Sequence, residues 1–485
     1  MNASPKKLFT IFLLASLALL IFLLKNSQPT ITTLFPIDHY SQDINKWVTP
    51  PGCDLSKNLL DLKIQQKHFN LFKAKYFGKY SPWNAHYINA ILNTENHSIK
   101  LIEQRLLQRF WGKGYGENYR HYTNDWIKSI AQNINFEQLN SSKYQKKNRA
   151  ITLDNLHIRL LPTNEVLFFN PQTAGQGYPF DNLQMFNAWA GTPLYILGQT
   201  RNHAWSLVVT PDIIGWVQTN KIAFISENFI QKWIKVAEKN LVAITRSDLT
   251  ILDKNKQFQF FGYIGAVFPA EKTANGFNIL IPKINNNQAT IAYSFISNQD
   301  AVKMPITATR FNFKQVINAL LGRPYGWGGI YFYNDCSAEL KSLFTPFGIW
   351  LPRHSAEQIH AGRIVDLSAN SSKKRLSYLL KQGHPLLSLG YVGGHIFLYI
   401  GNFINPDTHE SIAMSYQNIW ALRPISTKTR AIIGKSVFLP LLLQYSEDKK
   451  LASLINKSAF LVSNLDEEPR DSQLQAINLA ALMGF

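Results

Sequence analysis

Cys336 is one of only two cysteines in a chain of 485 residues, and its neighbours are those of a reactive thiol. It lies between Asp335 and Ser337 in NDCSAELKSLF, after a glycine-aromatic loop and at the start of a predicted helix over 336–344. A thiol attacks a carbonyl as the thiolate, so a nucleophilic cysteine needs a lowered pKa. The positive end of a helix and a nearby imidazolium both lower a thiol pKa. The sequence therefore favours Cys336 as a nucleophile over Cys336 as a small buried residue.

The base for this thiol is predicted to be His395 in GGHIFLYIG, at the start of a strand behind two glycines. A hairpin with SIAMSYQNIW that pairs Gly401 with Ser411 places His395 opposite Gln417. Opposite residues share a face and lie about 5 Å apart. The Gln417 carbonyl would then accept the imidazole Nδ1–H and leave Nε2 for the thiol. A slip of one residue would turn Gln417 to the other face.

The elements around these residues change character along the chain. Residues 26–150 contain helical stretches, and two sets of short strands with turn residues between them follow, over 156–223 and 241–295. Short strands at this spacing predict small β-barrels, here two in tandem. The apolar positions of FNFKQVINALLG, 311–322, predict a helix that ends at Gly322.

The N-terminus has the layout of an export signal. Lys6 and Lys7 precede an uncharged, mostly apolar run over 8–24, and Lys25 follows it. The run is close to the lower length limit for a spanning helix, so both an uncleaved anchor and a cleaved signal peptide fit. Positive residues before the run predict that the rest of the chain lies outside the membrane. The expected location is exported, in the periplasm or cell envelope, and an uncleaved segment would anchor the chain to the inner membrane by residues 8–24.

The formal charge of +19 indicates an anionic partner, such as nucleic acid, an anionic membrane or a cell-wall polymer. The basic residues are scattered, and no helix-turn-helix or zinc-finger spacing accompanies them, which argues against nucleic acid. Neither HExxH nor paired CxxC motifs occur, so no metal and no cofactor are predicted. Two cysteines do not form a disulfide scaffold.

The motifs together resemble the NlpC/P60 cysteine peptidases. PYGWGG, NDCSAEL, FGIWLPRHSAEQ, GGHIFLYIG and QNIW occur in the order of that family, and the strands upstream resemble its paired bacterial SH3-like domains. The resemblance extends over about residues 60–445 and implies an α+β chain with a papain-like NlpC/P60 catalytic domain. Two small SH3-like β-barrels and a helical N-terminal region would precede that domain. The implied units are a signal segment (1–25), a helical domain (26–150), two SH3-like domains (151–235 and 236–308), the catalytic domain (309–445) and a tail (446–485).

The resemblance also implies an activity, which is hydrolysis of the γ-D-glutamyl–diamino acid bond of peptidoglycan stem peptides. Cys336 matches the nucleophile, His395 the base and Tyr325 the side chain of the oxyanion hole. Gln417 matches a third catalytic position at which the family usually has His. In relatives the first SH3-like domain borders the cleft and restricts it to peptides with a free N-terminal L-Ala.

Three further positions match residues that hold substrate in the family. Asp335 and Ser337 match positions at the peptide end, and Ser355 matches one that contacts D-glutamate. His354 stands where relatives often have Asn or Asp. The expected partners are peptidoglycan or muropeptides and, through the N-terminal segment, the cell membrane; the chain is expected to be a monomer. The main alternative is a catalytically inactive peptidoglycan-binding protein, and acyl transfer or amide hydrolysis on a lipid is a second one.

Overall fold

A computed structural model describes residues 32–94, 98–140, 143–405, 409–425, 429–470 and 478–484. The apolar run over 8–24, predicted to be an export signal, lies outside these residues. Within them, no helix combines the length and the apolar character needed to cross a membrane.

The N-terminal region is mainly helical and packs on the first set of strands. It contains strand β1 (Thr32–Leu34) and helices α1 (Ile44–Trp47), α2 (Leu62–Tyr76), α3 (Ala85–Leu92), α4 (Ile99–Phe110) and α5 (Asn124–Asn133). Ile102, Leu106 and Phe110 recur at helical spacing in α4 and are buried in the core that this region shares with the strands. At the same interface the Trp216 indole N–H donates to the Glu103 carboxylate at 3.1 Å. The helices and the first strand set therefore form one packed unit.

The first strand set lies where the sequence predicts a barrel. Its strands are β2 (Arg149–Thr152), β3 (Leu156–Arg159), β4 (Gln184–Ala188), β5 (Pro193–Gln199), β6 (Trp205–Val209), β7 (Ile214–Gln218) and β8 (Ile222–Phe224). They pair antiparallel in the order β8-β2-β5-β6-β7-β3-β4. Trp216 of β7 is fully buried in their core. Helix α6 (Glu227–Lys239) then leads to the second set.

The second set has a core of its own, which includes Val242, Phe260, Phe268 and Ile279. Its strands are β9 (Leu241–Ile244), β10 (Leu249–Leu252), β11 (Phe258–Gly262), β12 (Val267–Lys272), β13 (Gly276–Asn285), β14 (Gln288–Ser297) and β15 (Ala301–Lys303). They pair in the order β15-β9-β12-β13-β14, with β10 and β11 as a separate hairpin. A single parallel pair between β14 and β8 joins the two sets.

The C-terminal part is a sheet with helices packed on it. The helices are α7 (Arg310–Leu320), α8 (Cys336–Phe344), α9 (Ser355–Gln358), α10 (Ser372–Gln382) and α11 (Leu479–Leu482), and a 3-10 segment covers Trp327–Phe332. The strands are β16 (Arg363–Asp366), β17 (Ser388–Tyr391), β18 (Ile396–Ile404), β19 (Ser411–Pro424), β20 (Arg430–Pro440), β21 (Leu451–Ala452) and β22 (Leu461–Asn464). Helices α7 and α8 match the predicted helices. Both pack on the sheet through apolar residues such as Phe313, Leu340 and Leu398.

This sheet runs in the order β1-β20-β19-β18-β17-β22-β16, with β21 also paired to β19. Strand β1 adds to its edge in parallel to β20, so the N-terminal region contributes to the same sheet. Strand β22 comes from the segment assigned to the tail, yet it lies between β17 and β16. The central strands β18 and β19 bring the candidate base and its amide partner to the beginning of α8.

Candidate active site

Helix α8 begins at Cys336 because Asp335 caps it. The Asp335 carboxylate accepts hydrogen bonds from the backbone N–H groups of Ser337 at 3.1 Å and Ala338 at 3.0 Å. These N–H groups have no partner inside the helix, so an aspartate in the N-cap position satisfies them. With this cap, Cys336 is the first residue of the helix, as the sequence predicts.

The loop before Cys336 is held by the first strand set. Gly328 and Gly329 adopt left-handed φ angles of 60° and 89°, and a Cβ on either would lie within 2.5 Å of Gln184 or Asn187 in β4. The side-chain amides of Gln184 and Asn187 donate to the carbonyls of Gly328 at 2.9 Å and Gly329 at 2.7 Å. Only glycine permits both this backbone and this approach. The two glycines therefore join the first strand set to the candidate site.

The Cys336 thiol is buried, and its electrostatics differ from the expectation. Burial raises the pKa of Cys336 to about 12, and the negative charge of Asp335 contributes in the same direction. Hydrogen bonds from the backbone N–H groups of Ile396 and Ser337, together with the charge of Arg353, only partly oppose the rise of this pKa. The predicted lowering of the thiol pKa is wrong for the substrate-free site, because desolvation of a thiolate outweighs the helix end.

His395 and Gln417 lie together, as predicted. The distance from His395 Nε2 to Gln417 Oε1 is 2.6 Å, and the Cys336 thiol accepts a hydrogen bond from Ile396, the residue after His395. The predicted contact atom is wrong, however, because Nε2 and not Nδ1 forms the hydrogen bond with the Gln417 amide. The Gln417 amide donates to Ser415 Oγ at 2.8 Å, and Ser415 donates to the Leu439 carbonyl at 2.7 Å. These two hydrogen bonds orient the Gln417 amide so that its Oε1 faces the imidazole ring. Nε2 therefore carries the proton, and Nδ1 is the unprotonated, basic nitrogen.

The strand register that produces this contact also differs from the prediction. Gly401 pairs with Met414 rather than Ser411, because β18 continues to Ile404 before the turn. A β-bulge between Tyr399 and Gly401 then shifts the register by one residue. Without the bulge, His395 and Gln417 would lie on opposite faces of the sheet; with it they are diagonal neighbours on one face. Diagonal neighbours are farther apart than directly opposite residues. His395 therefore reaches Gln417 through Nε2, the ring nitrogen that lies farther from its backbone.

The imidazole is buried and uncharged at neutral pH. Burial lowers the pKa of His395 to about 4, and the hydrogen bond to Gln417 and the charge of Asp335 oppose this only in part. The positive charge of Lys457 contributes to the lowering of the His395 pKa. The Cys336 thiol and the His395 imidazole are therefore both uncharged at neutral pH.

Tyr325, the predicted side chain of the oxyanion hole, is buried in the same region as Cys336. Its backbone N–H donates to the Gly434 carbonyl at 2.9 Å, which fixes it next to β20. Burial raises the pKa of Tyr325 well above its usual range, and the negative charges that Cys336 and Asp335 would carry add to this. The hydroxyl therefore stays protonated and able to donate a hydrogen bond.

Asp335 and Ser337 lie in a buried ion-pair network centred on Arg353. Arg353 donates to both carboxylate oxygens of Asp335, one at 2.9 Å, and also to Ser337 Oγ. It further donates to the Met185 carbonyl of β4 at 3.1 Å. Burial alone would raise the pKa of Asp335, but the Arg353 guanidinium outweighs it and the pKa is lowered. Ser355, the third position matched to substrate binding, begins α9 two residues after Arg353 and is partly exposed.

Two buried charged residues were not singled out from the sequence. Arg353 lies within the quoted motif LPRHS without a role, and Glu339 follows Cys336 by one helical turn. The Glu339 carboxylate accepts hydrogen bonds from Asn334 at 2.9 Å, Ser436 at 2.6 Å and Tyr416. Burial raises the pKa of Glu339. A charged residue on the buried face of a predicted helix was the available signal for Glu339.

A cysteine at a helix N-terminus beside a histidine–amide pair on an antiparallel sheet defines a papain-like thiol hydrolase architecture. Three family models match the chain: the N-terminal NLPC_P60 stabilising domain over 8–139, an SH3 domain of the SH3b1 type over 167–218, and the NlpC/P60 family over 322–425. The chain belongs to the NlpC/P60 family. One SH3 domain is matched where two SH3-like domains were predicted, and the second strand set lies outside the matched ranges.

Known relatives agree with this assignment. The chain is 30% identical over 125 residues to the gamma-D-glutamyl-L-lysine dipeptidyl-peptidase of Bacillus subtilis (strain 168), which covers 24% of this chain and 40% of that protein. It is 34% identical over 112 residues to a probable endopeptidase NlpC homolog of Haemophilus influenzae, and the match covers 22% of this chain and 55% of that protein. The chain thus spans about half the length of these curated relatives or less. A solved structure of an NlpC/P60 endopeptidase from Photobacterium damselae subsp. piscicida superposes with a TM-score of 0.78 at 28% identity, covering 91% of this chain and all of that one.

Proposed function

We propose that this chain is a cysteine peptidase that hydrolyses the γ-D-glutamyl–diamino acid bond of peptidoglycan stem peptides at the cell envelope. The observation that carries the proposal is the hydrogen bond from His395 Nε2 to Gln417 Oε1 beside the Cys336 thiol. It leaves Nδ1 as a base next to a nucleophile at a helix N-terminus. The family and the names of its relatives support the substrate class.

The first half of the reaction forms an acyl-enzyme. His395 Nδ1 takes the proton of the Cys336 thiol as the sulfur attacks the γ-carbonyl carbon of D-glutamate. The Tyr325 hydroxyl donates to the oxygen that becomes negative. The C–N bond then breaks, the amine of the diamino acid leaves with the proton from Nδ1, and a thioester remains.

The second half releases the product. A water molecule gives its proton to His395 Nδ1 and attacks the thioester carbonyl, and the thiolate leaves and takes the proton back. Throughout, the Gln417 carbonyl holds the Nε2–H and fixes the ring. A neutral amide does this without a second charge in a buried site, where an extra charge would be costly.

The test compares the full-length chain with Cys336→Ala and with Cys53→Ala, which removes the other cysteine and serves as the matched control. Each protein is incubated with L-Ala-γ-D-Glu-meso-diaminopimelate and with intact sacculi, and mass spectrometry identifies the products. Release of L-Ala-D-Glu by the wild type and Cys53→Ala, and its loss in Cys336→Ala, is the expected result. Retained binding to sacculi without cleavage by the wild type would overturn the proposal in favour of an inactive peptidoglycan-binding protein.

A further inference from the structure

Glu339 is a buried acidic residue that the proposed reaction does not use. It lies in α8, one helical turn after Cys336, and is fully buried beside apolar residues such as Leu340 and Leu343. A carboxyl group in such a place is unfavourable unless hydrogen bonds satisfy it. Burial raises the pKa of Glu339, and hydrogen bonds from neighbouring side chains oppose this rise only in part. The partners of this carboxyl group therefore indicate what it does.

One oxygen of the Glu339 carboxyl group holds the segment that leads into α8. The side-chain amide of Asn334 donates to Glu339 Oε2 at 2.9 Å, and Asn334 lies two residues before Cys336. The backbone of Asn334 also forms a bridge with Tyr325, and its carbonyl accepts a hydrogen bond from the Gly326 N–H at 2.9 Å. Through Asn334, Glu339 thus holds both the approach to the nucleophile and the end of the loop that carries Tyr325.

The other oxygen holds the two strands around Gln417. Glu339 Oε1 accepts hydrogen bonds from the Tyr416 hydroxyl in β19 and from Ser436 Oγ in β20, the latter at 2.6 Å. Tyr416 is the residue before Gln417 in β19. Ser436 pairs with Asn418, the residue after Gln417. The carboxyl group is therefore tied to β19 and β20 at the position of Gln417.

Asn418 closes this network. Its side-chain amide donates to the Asn334 carbonyl at 3.0 Å. Alternate residues of a strand share a face, so Tyr416 and Asn418 point together towards α8 and the segment before it. Both chain neighbours of Gln417 are thus bonded to Glu339 or to Asn334. Buried polar networks whose members are hydrogen-bonded make a structure rigid.

We propose that Glu339 is a positioning residue, which fixes Cys336 and Gln417 relative to each other through Asn334 and Tyr416. This inference rests on the proposed peptidase function. Because Gln417 orients His395, a shift of β19 against the start of α8 moves the base relative to the thiol. Misplacement of a reacting group by about 1 Å can lower a rate by about 100-fold.

The test compares two substitutions of Glu339 with a control in the same helix, all in the full-length chain. Glu339→Met removes every acceptor of the network, whereas Glu339→Gln retains an amide oxygen for Tyr416 and Ser436. The matched control is Lys341→Met. Lys341 forms a buried ion pair with Asp212 of the first strand set at 2.9 Å, so its loss destabilises α8 without removing a contact to β19. Urea denaturation measures the loss of stability in each variant.

The kinetic readout separates positioning from stability. For cleavage of L-Ala-γ-D-Glu-meso-diaminopimelate, we expect kcat to fall about 10- to 100-fold in Glu339→Met while KM stays within about 3-fold. Glu339→Gln should recover kcat to within about 5-fold of the wild type, and Lys341→Met should stay within about 3-fold. A fall in kcat that follows the loss of stability equally in Glu339→Met and Lys341→Met would overturn the inference, as would a wild-type kcat in Glu339→Met.

A milder variant keeps the test open if Glu339→Met does not fold. Tyr416→Phe removes one hydroxyl from the network and keeps the ring, and we expect kcat to fall about 3- to 10-fold with KM unchanged. No fall in kcat would overturn the inference.

Alkylation of the thiol distinguishes this inference from the function on which it rests. If the wild type cleaves no peptide, the peptidase proposal fails, and the reaction of Cys336 with iodoacetamide in a Cys53→Ala background still tests the positioning role. Loss of the network opens the first turn of α8 to water, so the pH of half-maximal alkylation should fall by at least about one unit in Glu339→Met and not in Lys341→Met. The same shift in both variants, or no shift in either, would overturn the inference.

Discussion

The charged groups on the two sides of His395 are arranged in opposite ways. On one side, Arg353 and Asp335 form a buried ion pair, and Asp335 also caps the helix that carries Cys336. On the other side, Arg423 and Arg430 lie opposite each other at the rim without a carboxylate among the described residues. A buried charge left alone would be very unfavourable, whereas water screens the charges at the rim. The paired side is therefore neutralised within the fold, whereas the like charges at the rim are screened by solvent.

The largest expected effect comes from breaking the paired side. Arg353→Met leaves the Asp335 carboxylate buried without its partner, and we expect a loss of about 3–5 kcal/mol in the free energy of unfolding. Because the folded-state pKa of Asp335 is lowered, its stabilisation is present above its unfolded pKa of about 4 and is lost as the pH falls through the folded value. Urea denaturation at pH 7 and at lower pH measures both.

Arg246→Met is the matched control for that substitution. Arg246 pairs with Asp300 at 3.3 Å, but its side chain is 71% exposed. Removing it should cost at most about 1 kcal/mol. Equal losses in the free energy of unfolding of the two variants would show that the buried ion pair stabilises the protein no more than the exposed one.

The imidazole between the two sides depends on Gln417 for its orientation. Gln417→Ala removes the acceptor of the Nε2–H, so we expect kcat/KM on L-Ala-γ-D-Glu-meso-diaminopimelate to fall about 10- to 100-fold. Gln417→His puts a second ring with a hydrogen-bond acceptor at this position and should recover most of the activity. Loss of activity in Gln417→His as severe as in Gln417→Ala would point to a packing role instead.

The paired side also determines how the thiol titrates. With the pKa of Cys336 raised to about 12 by burial and then Asp335, less than about 1% of the thiol is ionised at pH 7. Thiolate absorbance at 240 nm in a Cys53→Ala background should therefore be absent at pH 7 and should rise only above about pH 11. A full thiolate signal at pH 7 would mean that a Cys336–His395 ion pair exists before substrate binds.

The smallest effect has the opposite sign to the first. Arg423→Gln relieves the repulsion with Arg430, so the free energy of unfolding should rise by roughly 0.2–1 kcal/mol. Added salt should reduce this gain, since it screens exposed charges. A loss of stability instead would mean that Arg423 has a structural partner and that the two sides are alike.

The sequence by itself determined the local features of the site. An aspartate before a run of good helix formers begins α8 at Cys336, because the cap needs only the next three residues. The motifs also singled out His395 and Gln417, whose side chains contact each other, and helices α7 and α8 and most strands lie where the sequence predicts them.

Only the tertiary structure determined which atoms of the site contact each other and how its groups are protonated. The bulge in β18, and not the hairpin pattern, puts His395 and Gln417 on one face and makes Nε2 the contact atom. Burial beneath the whole domain raises the pKa of Cys336, although the helix N-terminus alone predicts a lower one. Arg353, 18 residues from Asp335, becomes its partner through folding. Register, desolvation and long-range pairing depend on groups that are distant in the chain, which is why they cannot be read from a short stretch of it.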